Sequence, residues 1–137
     1  LAAIYAPELT REALFDAMEN RLCYGTTGAR ISLWFTVDGK PMGSTVKARR
    51  GDRGREVWVS VLGTEAIDRV EVLRNGEVVH TGYRRRKDSE NVCQVDWTDR
   101  PEPSASDFYY VRVIQEDGEM AWSSPVWIEN RPQTTDD

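Results

Sequence analysis

A chain of 137 residues, 39% hydrophobic and 30% charged, is long enough to bury its own core, and none of its apolar runs reaches membrane-spanning length. Its formal net charge of −5 argues against nucleic acid as a partner, because phosphate neutralisation supplies most of that affinity. Two cysteines allow at most one bridge, and no signal-peptide pattern opens the chain; together these favour reduced thiols and a cytoplasmic setting, or a periplasmic or secreted one if a signal has been removed.

Residues 8–22, ELTREALFDAMENRL, read as a helix. Thr10 suits the N-cap, and Glu12 places an acid in the first turn, where the helix dipole favours it. Leu14, Phe15, Met18 and Leu22 recur at helical spacing, an apolar stripe that needs cover. Arg21 lies near the C-terminal end, and Gly25 suits the left-handed residue that follows a C-cap. The next run, YGTTG at 24–28, follows the negative end of the helix and lacks a P-loop lysine. It therefore reads as a joint between helical and β structure, not as a phosphate cradle.

From Ala29 onward the pattern is all strand. RISLWFTV sets Ile31, Leu33, Phe35 and Val37 on one face, and REVWVSVLG does the same with Val57, Val59 and Val61. DGKP supplies a turn, and Asn75-Gly76 inside DRVEVLRNGEVVHTG is the pair that a type I′ hairpin prefers. NVCQVDW alternates Cys93, Val95 and Trp97; DFYYVRVIQEDG alternates Tyr109, Val111 and Val113 before a turn at Asp117-Gly118. In MAWSSPVWIE, Pro125 cannot donate to a ladder, so that strand is expected to be interrupted or at an edge. Short strands and frequent turns predict a mainly β chain: an immunoglobulin- or fibronectin-like β-sandwich of about seven antiparallel strands after one N-terminal α-helix. The division expected is a helix and joint over 1–28, the sandwich over 29–129 and a polar tail over 130–137.

Reactive constellations are scarce. His80 is the single histidine, too few for a zinc site, and no GxSxG surrounds a serine. Cys23 and Cys93 lack CxxC spacing and read as small buried hydrophobes. The acids Asp96, Asp99, Asp107, Glu116 and Asp117 fit no EF-hand and read as turn chemistry. Basic clusters at 47–55 and 84–87 fall between strands as solvated loops. Five tryptophans suit core or interdomain packing, with sugar stacking as the rival use.

The stretches LTREALFDAMENRLCYGTTGARISLWFTVDGKPMGS, IDRVEVLRNGEVV and FYYVRVIQEDGEMAWSSPVWIE, within 8–129, resemble the C-terminal part of a family of large, mostly uncharacterised bacterial proteins. These are related to the PHP (polymerase and histidinol phosphatase) metal-dependent hydrolases. The resemblance implies that a full-length parent carries phosphoesterase or ester-hydrolase chemistry, with divalent metal on an α/β barrel upstream of Leu1. The chain begins with Leu rather than Met, in keeping with an excised or processed piece. On this reading the chain has no catalytic residue, metal ligand or cofactor of its own. Its partner is the upstream catalytic domain, with self-association through the N-terminal segment as a further expectation. Tyr24, Thr26, Thr27, Arg30 and Trp122 are the candidates for contact with a neighbouring domain or a ligand. The alternative is an independent carbohydrate- or protein-binding module.

Overall fold

The computed structural model describes residues 1–48, 54–82, 90–102 and 104–130. They form one helix and twelve strands in two sheets, a mainly β chain. The residues outside these ranges include most of the basic stretch at 47–55, all of 84–87 and the tail after Asn130.

The strands are β1 (Ala2–Ile4), β2 (Cys23–Thr26), β3 (Ser32–Val37), β4 (Lys40–Pro41), β5 (Thr45–Lys47) and β6 (Arg55–Leu62), then β7 (Ile67–Arg74), β8 (Glu77–Gly82), β9 (Val92–Asp99), β10 (Ser106–Gln115), β11 (Met120–Ser123) and β12 (Val126–Glu129). The smaller sheet runs β4-β3-β6-β9, all antiparallel. The larger, eight-stranded sheet is built around β10, which pairs β7 along one edge and both β11 and β12 along the other. Alternation does the sorting. Leu33, Phe35, Val37, Val57 and Val59 from the small sheet, and Val70, Val72, Tyr109, Val111 and Val113 from the large one, are all fully buried in one shared core.

Both hairpin signals are realised. Asn75 and Gly76 take positive φ (54° and 87°) between β7 and β8, and Asp38 and Gly39 do likewise (50° and 76°) between β3 and β4. Pro125 interrupts its strand but leaves neither half at an edge. β11 continues the sheet to β2, whereas β12 pairs β5 in parallel. The break is bridged by side chains: Ser123 accepts from the Val111 N–H at 2.9 Å, and Ser124 donates to the Cys23 carbonyl at 2.5 Å.

The N-terminal region differs from the sequence expectation. The helix α1 is shorter, Arg11–Glu19, with Thr10 as its N-cap, accepting from the Ala13 N–H at 3.2 Å. Its C-terminus is a Schellman motif in which Arg21, not Gly25, is left-handed (φ 58°). The Arg21 N–H bonds the Met18 carbonyl at 3.0 Å and the Leu22 N–H bonds the Ala17 carbonyl at 2.9 Å. Gly25 lies in β2, so YGT is strand and not joint, because β2 is needed between β1 and β11. Residues 1–28 thus contribute two strands to the large sheet. The helix buries Ala17 and half-buries Ala13 and Leu14, while Phe15 and Met18 of the expected stripe stay 60% and 47% exposed.

Aromatic contacts close both seams between the sheets. On one side the Tyr24 hydroxyl donates to the Ile31 carbonyl at 2.7 Å, and the Tyr5 hydroxyl donates to the Leu33 carbonyl. These two hydroxyls satisfy β3 along the part of its edge that β4 does not cover. On the other, His80 of β8 stacks on Trp97 of β9, ring centres 4.6 Å apart and 8° from parallel. Gly82 fits there because a Cβ would sit 3.0 Å from Val95.

Candidate functional site

A dense polar cluster joins β6, β7, β9 and β10. Arg55 on β6 donates to Asp107 Oδ2 at 2.7 Å, to the Tyr109 hydroxyl at 3.0 Å and to Asn130 Oδ1 at 2.7 Å. The Tyr109 hydroxyl donates to Asp99, whose Oδ2 also accepts from Arg74 at 2.6 Å. Asp107 Oδ1 accepts from Asn75 Nδ2 at 2.8 Å and from Ser104 at 3.0 Å. Burial pushes the Asp107 carboxyl upward, but hydrogen bonds from Asn75, Arg55 and Ser104 outweigh it and hold the group below its ordinary range. Burial, then donation to Asp99, pushes the Tyr109 hydroxyl well above its ordinary value. Asp99 and Asp107, expected as turn acids, are instead 5% and 4% exposed.

Such a cluster resembles a reactive site in composition but not in availability. Among the described residues, no buried side-chain nitrogen or oxygen lacks a hydrogen-bond partner. A substrate would have to displace bonds that tie together β6, β7, β9 and β10. The arrangement is a clamp. Among the same residues, no group of three or more His, Cys, Asp or Glu side chains is placed to hold a metal ion. Among the described residues, no helix is long and apolar enough to cross a membrane.

The five residues selected from sequence do not converge on one site. Tyr24 and Thr26 lie on the face of β2 whose β11 partners, Ser123 and Ala121, are buried. Thr26 accepts from the Gly28 N–H at 3.2 Å. Thr27 donates to Glu119 and accepts from the Met120 N–H at 2.9 Å, fastening the end of β2 to β11. Arg30 is exposed in the connection to β3. Trp122 pairs with Gly25 and Arg112 on the opposite, outward face.

That outward face carries what the sequence reading left unassigned. Since Tyr109, Val126 and Ile128 point into the core, Phe108, Tyr110 and Trp127 point away from it. Phe108 is directly across from Trp127, and the Phe108 and Tyr110 rings lie 6.4 Å apart and 7° from parallel. The Arg21 guanidinium sits 5.2 Å above the Trp127 ring and donates to the Gly43 carbonyl at 2.9 Å. Gly43 (φ 90°) has no room for a side chain, because a Cβ would strike the Asn20 carbonyl and come within 2.7 Å of that of Arg21. The helix end is thereby seated beside an open groove of 540 Å³ lined by Arg21, Thr45, Ser106, Phe108, Trp127 and Glu129. The alternation that buries Tyr109 already implied an outward Phe108 and Tyr110. Nothing in the sequence placed Arg21 over Trp127.

The family described as "protein of unknown function (DUF3604)" matches residues 1–107. Uncharacterised proteins of Chlamydia pneumoniae, Chlamydia muridarum and Chlamydia trachomatis are 39%, 35% and 34% identical to the chain, each alignment covering 94% of it. The chain spans 22% of the length of each of these relatives. No solved structure gives a significant match.

Proposed function

The chain belongs to the DUF3604 family, and from that premise we propose that it is a non-catalytic accessory module of a longer, PHP-like metal-dependent hydrolase, packing against that protein's catalytic barrel. The observation that carries this reading is the mismatch in length: nearly all of the chain aligns, yet it accounts for 22% of each relative. The saturated clamp supports it, since the buried acids and arginines are spent on holding strands together. The two sheets facing across one core suit an immunoglobulin- or fibronectin-like β-sandwich in that supporting role. Divalent metal and its ligands then belong to the remainder of the longer protein. Under this reading the isolated chain leaves p-nitrophenyl phosphate intact in the presence of Mn²⁺ or Zn²⁺, whereas the whole Chlamydia pneumoniae relative hydrolyses it. Turnover by the isolated chain that a chelator abolishes overturns the proposal.

A second reading, an independent carbohydrate- or protein-binding module, is favoured by the outward Phe108, Tyr110, Trp122 and Trp127, because flat aromatic surfaces stack on sugar rings. It predicts that tryptophan fluorescence of the isolated chain saturates when cello- or chito-oligosaccharide is titrated in.

A further inference from the structure

Among the described residues seven large apolar side chains are exposed: Leu62, Val78 and Val92 on strands, and Leu1, Leu9, Phe15 and Met18, at 65%, 90%, 60% and 47%, within the first eighteen residues. Phe15 and Met18 stand three apart on α1, opposite the face that buries Ala17. The helix then closes through the Arg21 N–H on the Met18 carbonyl, and Arg21 reaches over Trp127. Trp127 faces Phe108 across the strands, and Phe108 stacks beside Tyr110. The exposed Phe15 and Met18 thus connect, through Arg21, to the half-buried Trp127, Phe108 and Tyr110 as a strip from the helix onto the outer face of the large sheet.

We propose that this strip is the surface on which the remainder of the longer polypeptide sits. The inference rests on the accessory-module reading and names its interface. Large apolar and aromatic side chains gathered at the surface of a domain mark an interaction site. The relatives supply the occupant, since most of each lies outside the segment that this chain matches. The composition also suits a protein face, with aromatic residues and an arginine at the centre of the strip. Glu12, Asp16 and Glu19 of α1 are exposed beside it and supply the polar rim.

The test replaces the matched segment of the Chlamydia pneumoniae relative with this chain and compares hydroxyl-radical oxidation in the swapped protein and the free chain. Oxidation of Phe15, Met18, Tyr110 and Trp127 is expected to slow several-fold in the swapped protein, while Trp58, on the outer face of the small sheet, keeps its rate. Equal rates in both settings overturn the proposal. So does concentration-dependent protection of the free chain that Phe15→Glu with Met18→Glu abolishes, which would assign the strip to a second copy. Protection of the free chain by an oligosaccharide would assign it to a sugar. A swapped protein that fails to fold, with buried Tyr109 oxidised as fast as Trp127, also counts against it, because a face built for that body should accept it. Phosphate-ester turnover by the free chain would sink the accessory reading and leave these rates untouched, so the two failures are separable.

Discussion

Arg55 and Asp107 show how much one buried pair commands. Their side chains are 11% and 3% exposed, and the pair spans 52 residues of sequence. Arg55→Met leaves the carboxylate buried with fewer donors, and a urea titration at pH 7 should show a loss of about 3–5 kcal/mol. Its pH dependence has a definite sign. The folded Asp107 carboxyl lies below its ordinary value of 3.8, so its contribution is present above that value and is lost as pH falls through the folded one. Without Arg55 the folded value rises and acid unfolding begins at higher pH. At the alkaline end the sign reverses. Burial raises Cys93 from 9.0 to about 11 and, with Tyr24 adding to it, raises Tyr5 from 10.0 to about 12. The folded chain keeps these protons longer than the unfolded one, so the contribution is full below pH 9 and fades as pH climbs towards 12. Cys93→Ala and Tyr5→Phe should each flatten that decline, as read from melting temperature against pH.

The end of α1 is where an element depends on a distant contact. A left-handed conformation costs a non-glycine residue about 1–2 kcal/mol, and Arg21 bears that cost while bonding the Gly43 carbonyl and covering Trp127. Gly43→Ala pushes a methyl into the helix-end carbonyls at a backbone angle that already disfavours it, and about 2 kcal/mol or more should be lost. Arg21→Gly relieves the strain but removes two contacts, so circular dichroism should show an intact helix while tryptophan emission shifts as Trp127 is uncovered. The sequence carried the helix, its N-cap and both positive-φ hairpin turns, because those signals are local. It misplaced the helix stop, since Gly25 was the obvious left-handed residue until β2 claimed it as strand.

Across the whole molecule, the N-terminal segment is structural to the sheet. β1 and β2 extend the large sheet beyond β11, and Tyr5 and Tyr24 seal the seam with β3. Removing residues 1–28 takes away both strands and leaves the carbonyls of Ile31 and Leu33 without these donors. The remainder, 29–137, should be recovered as aggregate or as a poorly cooperative species, in contrast to a sharp single transition for the full 137 residues.

Strand alternation, turn dipeptides and a capping threonine were sufficient for the mainly β class and for the inward faces of β3, β6, β9 and β10, because a side chain's face is fixed by its immediate neighbours. Which Asp meets which Arg, which edge a tyrosine hydroxyl caps and where the helix end rests depend on residues tens of positions apart. Period and propensity hold no record of such distances. Only the packing of two sheets brings Asp107 to Arg55 and Arg21 to Trp127.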